Sequence, residues 1–429
     1  MSGRGWSLML QLAARKILLL LLGTTALYAS SASGVEGATV ASSYDLEYTV
    51  TAVPTENSVD VRLKLGQDRN LLREMRFAAD NITDVSGDGE ISTGHSAVVW
   101  HPPAKGGELR WRAKVNHKRG SSYDAWLDAK WGLFRAEDVI PRAATRTLKG
   151  ARSNTSLRFK LPARWSVTTE YKDEKGIAHI VNPARRFTQP SGWIVMGKLG
   201  VRRERIAGTR VAVAAPIGED VRRMDMLALL NWTLPELARI LPAPPPRITI
   251  VSAGRPMWRG GLSAPQSLYI HADRPLISEN GTSTLLHEIV HIAMGASAER
   301  GYDWIVEGMA EYYSLQLLGR SGTITQPRLN EALKSLADWA RSADELCGVS
   351  STGPRTALAV GVMHALDKEI DHATRGKKNL DDVLVELLKR DARFNLRRLH
   401  TAASKILGEN PDALHSDRLP GCSKLANSD

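Results

Sequence analysis

The sequence predicts an α+β protein: a β-sandwich-like N-terminal domain, then a few strands and a mostly helical C-terminal lobe. Two observations carry this. From Tyr44 to Pro216 the chain is a series of short runs rich in β-branched and aromatic residues, several alternating polar with apolar, separated by Gly, Pro, Asn and Asp clusters. After Pro216 the runs lengthen to helical periods with recognisable caps. Strands first and helices later is the order of an α+β chain, not of alternating α/β units.

The N-terminal stretch stands apart from both. Arg4, Arg15 and Lys16 precede the apolar run ILLLLLGTTALY, and small residues follow in ASSASG, the order of a signal peptide cleaved between Ala29 and Gly34. The apolar run is shorter than a comfortable bilayer span of about 20 residues, and an uncleaved membrane anchor is the alternative. Residues 1–33 are thus expected to direct export, with the mature chain periplasmic or secreted. The chain has two cysteines, Cys347 and Cys422, and an oxidising compartment favours their pairing. The formal net charge is +11, but its basic residues are spread over KVNHKR, NPARR, GVRRER and TRGKK. No aromatic-laced basic stripe is formed, which argues against nucleic acid as a partner.

A β-rich domain is expected over residues 34–219. YDLEYTVTAV, SVDVRLKLG, AVVWHP, LRWRAKVNH, LRFKLP and WSVTTEY are its strands, and GWIVMGKLGVRRERIAGTRVAVAAP supplies the last ones. A second domain spans residues 220–346. In it MDMLALLNWTLPELARIL reads as an amphipathic helix with Pro235 near its middle, RITIVS as a compact strand, and SLYIHAD as a strand bordering the cleft after the glycine-rich RGGLS. TSTLLHEIVHIAMG has Thr282 or Ser283 as a helix cap and Gly295 to end it. DWIVEGMAEYYSLQLLG begins a further helix at Asp303, and TQPRLNEALKSLADWARS carries Pro327 in its first turn. Residues 347–429 form a helical subdomain from ALAVGVMHALDKEIDHAT, LDDVLVELLKRD and a segment near TAASKILG.

The chemistry lies in LLHEIVHIAMGASAERGYDWIVEGMAEYY. His287 and His291 are four residues apart on a predicted helix, so both imidazoles leave one face and can share a tetrahedral ion. Glu288 leans toward the same cleft, where it can take a proton from a metal-activated water. The following turn lets the second helix bring the Glu307 carboxylate opposite the two histidines. Glu311, one turn further on, is expected to orient a ligand without binding the metal itself. Ile289, Val290, Ile292, Ile305, Val306 and Met309 surround these groups, and unpaired charge among them would be costly. One zinc ion per chain is therefore expected.

HEIVH followed after fifteen residues by EG in WIVEGMAEYY resembles the gluzincin metallopeptidases. GGLSAPQS, YYSLQLLGRSGTIT and ALDKEIDHATRGKKNLDDVLVEL are most similar to the glycyl aminopeptidase family, M61. The resemblance covers roughly residues 255–390 well and the β-rich part loosely. It implies a thermolysin-like catalytic domain, His287, His291 and Glu307 as zinc ligands, Glu288 as catalytic base, and a peptide or unfolded protein as substrate. The family's usual C-terminal PDZ domain is not expected in the segment that follows Arg390.

Two departures shape the expected activity. Where the family carries Glu and His after GGL, this chain has Ser263 and Ala264, so no acid holds a substrate's amino terminus unless Asp273 or Glu279 is recruited. Endopeptidase action is the resulting expectation, with Ser263, His271 and Asp273 as substrate contacts. The family's paired tyrosines are also absent, leaving Tyr302 and His364 as candidates to stabilise an oxyanion. The other reading is a catalytically impaired relative that holds zinc for structure or binds peptides in its cleft.

Overall fold

A computed structural model describes residues 42–422 apart from 172, 183, 349 and 390–392, so the expected signal peptide lies outside the described residues. No helix among the described residues is long and apolar enough to cross a membrane. The architecture is α+β, with a β-rich N-terminal region followed by a largely helical C-terminal region.

In the N-terminal region a seven-stranded sheet is organised around Ser43–Val53, which runs parallel to Arg152–Lys160 and antiparallel to Ser58–Gly66. Leu46, Tyr48 and Val50 are buried while the alternating Asp45 and Glu47 are not, so one face of this strand supplies core. Sheets of five and four strands complete the region. Their shared core includes Trp100 and Trp111, whose indole N–H groups donate to the backbone carbonyls of Asp88 and Val139.

The sheet beneath the site has five strands in the order Leu199–Ile206, Thr209–Pro216, Arg247–Ala253, Ser267–His271 and Gly261–Ser263. This corrects two sequence expectations. Leu199–Ile206 and Thr209–Pro216 do not close the N-terminal sheets; Thr209–Pro216 pairs in parallel with Arg247–Ala253, and helix Arg223–Ile240 makes the crossover between them. SLYIHAD does not border the cleft either. Ser267–His271 is an interior strand, buried at all five positions, and the edge belongs to Gly261–Ser263.

The two regions meet at a small apolar cluster in which Trp131, Leu133, Trp193 and Val195 pack on Val251, Ala253, Met257 and Tyr269. The Trp193 indole donates to the Leu262 carbonyl at 2.9 Å, so the β-rich region is tied directly to the edge strand. A second tie runs through the loop after Ala253, where Trp258 N–H donates to the Tyr123 carbonyl and Arg119 stacks over the Trp258 ring at 4.0 Å.

Helices Thr284–Met294, Asp303–Arg320, Gln326–Ala340, Pro354–Ala373, Leu380–Leu388 and Leu396–Leu407 follow. Ser283 caps the first by accepting from Leu286 N–H, and Gly295 ends it at φ 56°, where a side chain would be strained. Asp303–Arg320 and Pro354–Ala373 cross closely at Gly308. A Cβ there would come within 2.7 Å of the Ala359 Cβ, which explains why glycine follows Glu307.

Candidate metal centre

Helix Thr284–Met294 buries Leu285, Leu286, Ile289 and Val290 in the core and leaves His287 and His291 on the opposing side, one turn apart. Helix Asp303–Arg320 is anchored by Trp304, Ile305 and Met309, each fully buried, and this fixes Glu307 against the histidines. His287 Nε2 lies 3.1 Å from His291 Nε2 and 3.3 Å from Glu307 Oε2, and His291 Nε2 lies 3.5 Å from Glu307 Oε1. Three ligands bound at about 2.0–2.1 Å to one tetrahedral zinc sit about 3.3 Å apart. The three donor groups therefore fit a single divalent ion with little rearrangement.

Glu311 Oε2 accepts a hydrogen bond from His287 Nδ1 at 2.8 Å. That bond selects the tautomer whose Nε2 lone pair faces the other ligands. Burial disfavours charge on His287, but the Glu307 and Glu311 carboxylates outweigh it and raise its pKa well above the ordinary histidine value. Burial likewise pushes Glu307 upward, and its hydrogen bonds to His287 and His291 overcome this and bring it down to about 2. The cluster is arranged for positive charge at its centre. A proton can supply it, and a metal ion can replace that proton.

Glu288 is buried beside the ligands, and the edge strand comes up against it. A Cβ on Gly261 would meet Glu288 Cγ at 3.0 Å and Thr284 Cγ2 at 2.7 Å, so only glycine lets this strand lie against the carboxylate. His271 N–H donates to the Gly260 carbonyl and Ala264 N–H to the Ser267 carbonyl. With the period of two, Leu262 also bonds inward, while the N–H and C=O of Gly261 and Ser263 point to the open edge.

A cavity of about 480 Å³ opens over these groups. His287, Glu288, Glu307 and Glu311 line it together with Gly261, Trp258, Arg274, Trp339 and the segment from Ser351 to Ala357. That last segment is pinned by Ser351 N–H, which donates to Asp303 Oδ2 at 2.7 Å. Just before it, Cys347 and Cys422 form a disulfide, and the Trp304 indole donates to Cys347 Sγ.

The remaining sequence candidates lie elsewhere. Tyr302 is buried in the helical core at the start of the second helix and does not line the cavity. His364 is also off the cavity, its ring near Tyr312, its Nδ1 buried without a hydrogen-bond partner, and its pKa lowered by burial. His271 is buried, with Nδ1 accepting from Asp273 N–H at 3.1 Å, so it braces the turn after the strand. Asp273 points to solvent and Ser263 sits on the edge strand; neither lines the cavity. Conversely, sequence reasoning missed Gly261, Trp258, Arg274 and Trp339. Only the glycine pair in RGGLS carried a local signal.

With the fold and ligand set described, two solved structures are comparable. One is an aminopeptidase N family protein from Idiomarina loihiensis, matched with a TM-score of 0.62 at 14% identity over 89% of this chain and 75% of that one. The likeness is one of fold, and the His287, His291 and Glu307 group stands within it as a candidate metal site. The second is Legionella pneumophila aminopeptidase A, solved in complex with aspartic acid, with a TM-score of 0.53 and 12% identity over 86% of this chain. This chain spans 48% of the length of that protein. No family model and no curated protein matches the chain.

Proposed function

We propose that the protein is an exported zinc-dependent peptidase with a thermolysin-like catalytic domain, of the type its M61-like motifs suggest. The observation that carries this is the His287, His291 and Glu307 set at tetrahedral-ligand separations, with Glu288 beside it and an open-edged strand alongside. Zinc bound there acts as a Lewis acid on water and on a peptide carbonyl. Glu288 takes the proton of the attacking water and passes it to the leaving amine. The outward groups of Gly261 and Ser263 pair with an extended substrate as an added strand, holding the scissile bond over Glu288. Glu311 keeps His287 oriented throughout.

Internal cleavage is the favoured mode. An exopeptidase acting from the amino end must pair a substrate ammonium, and every acidic side chain lining the cavity belongs to the metal cluster. Export is supported by the signal-like N-terminus and by the disulfide.

One observation favours the impaired, peptide-binding alternative: no tyrosine lines the cavity among the described residues, and neither oxyanion candidate reaches it. Elemental analysis and peptide digestion separate the readings. The peptidase holds about one zinc per chain, loses it in the His287→Ala, His291→Ala double variant, and cuts acetylated and free peptides alike at internal bonds. Zinc without any cleavage supports the alternative, and a metal-free native protein contradicts both.

A further inference from the structure

The charged groups lining the cavity are unequal in kind. Glu288, Glu307 and Glu311 cluster at the metal site, and Arg274, four residues beyond Ile270 in the interior strand, is the one arginine or lysine on the walls among the described residues. Its Nε is buried with no hydrogen-bond partner, and no carboxylate among the described residues pairs with its guanidinium. Its sequence neighbour Asp273 is turned outward, its side chain 63% exposed and nearest to His271.

A guanidinium keeps its charge at any physiological pH, and burying one of its N–H groups without an acceptor is costly. No group among the described residues accepts from that N–H. Trp258 and Trp339 supply apolar wall, and Asn280 and Ser335 are neutral. Trp339 is half exposed at 52%, so part of its ring is open to an incoming ligand. The arrangement suits an anion that fits the planar fork of Arg274 in a cavity walled in part by Trp258 and Trp339.

We propose that Arg274 binds a carboxylate of the peptide substrate and makes the cavity selective for acidic peptides. The carboxylate belongs either to an Asp or Glu side chain near the scissile bond or to a free C-terminus; both present the same two oxygens. This specificity rests on the peptidase reading given above.

The test uses four peptides of one sequence: internal Glu or Gln, each with a free or amidated C-terminus. A charge-assisted hydrogen bond of this kind is worth about tenfold to a hundredfold in kcat/KM. The expected result is that factor between Glu and Gln if the side chain is the ligand, or between acid and amide if the terminus is. In Arg274→Met the ratio falls to about one, while Arg274→Lys retains part of it. A preference that persists in Arg274→Met comes from the metal centre and overturns the proposal, as does the absence of any preference in the native protein. If no peptide is cleaved at all, calorimetric titration of the same four peptides into the zinc-loaded protein decides separately. Acidic peptides binding more tightly than neutral ones, with the difference lost in Arg274→Met, supports the Arg274 assignment even as the peptidase reading fails; equal binding refutes it.

Discussion

Glu311 Oε2 stands 2.8 Å from His287 Nδ1, on the far side of the imidazole from Glu307 and His291. The carboxylate both fixes the ring and raises the basicity of Nε2. Glu311→Gln keeps the shape and removes the charge, and it should weaken zinc binding by about tenfold to a hundredfold. Competition with a chelating dye measures this. Native affinity in the variant would remove Glu311 from the site.

Gly261 is the second sensitive position. The Cβ of Gly261→Ala would press on Thr284 and on Glu288, displacing the carboxylate without touching a ligand. Small misplacements of a reacting group cost up to about a hundredfold, so kcat should fall about tenfold to a hundredfold with zinc content unchanged. An unaffected kcat would mean that Glu288 is not set by the edge strand.

The disulfide joins residues 75 apart in sequence and precedes the Ser351–Ala357 wall of the cavity. Loss of such a native link costs about 2–5 kcal/mol. The Cys347→Ala, Cys422→Ala double variant should therefore unfold at lower denaturant than the native protein and bind peptide less tightly. Coincident denaturation curves would show that the link is dispensable.

Glu170 lies at the junction of the two regions, where its Oε2 accepts from Ser267 Oγ at 2.8 Å. Burial outweighs this hydrogen bond and raises its pKa from 4.5 to about 7. The folded state thus holds a proton that the unfolded chain releases near its ordinary carboxylate pKa. The contribution to stability is fully present below that pKa and is lost as pH rises through about 7. Between pH 5 and 8, Glu170→Gln should gain about 2–3 kcal/mol relative to the native protein. Urea denaturation at both values measures the gain, and parallel pH profiles would contradict it.

His287 and His291 were legible as a candidate metal-binding pair because helical spacing alone puts them on one face, whereas Glu307 had to be brought in across the turn to the second helix. The helix limits near Ser283, Gly295 and Asp303 were legible for the same local reasons. The cavity walls were not, since Trp258, Arg274, Trp339 and Gly353 come from four separate segments and meet only in the folded chain. Strand order was misread at SLYIHAD, although Leu268, Tyr269 and Ile270 in succession, with no alternation, suit a strand buried on both faces. Tyr302 and His364 were chosen for their chemistry, and neither residue type reveals which way its side chain faces.

The role of Glu288 bears the whole mechanism, and Glu288→Gln isolates it because the amide keeps the shape and cannot accept the water's proton. Zinc content and internal peptide cleavage should be measured on the same preparation. The expected result is about one zinc per chain with turnover reduced by at least about a hundredfold. Full zinc with native turnover would contradict the assignment of Glu288 as the base.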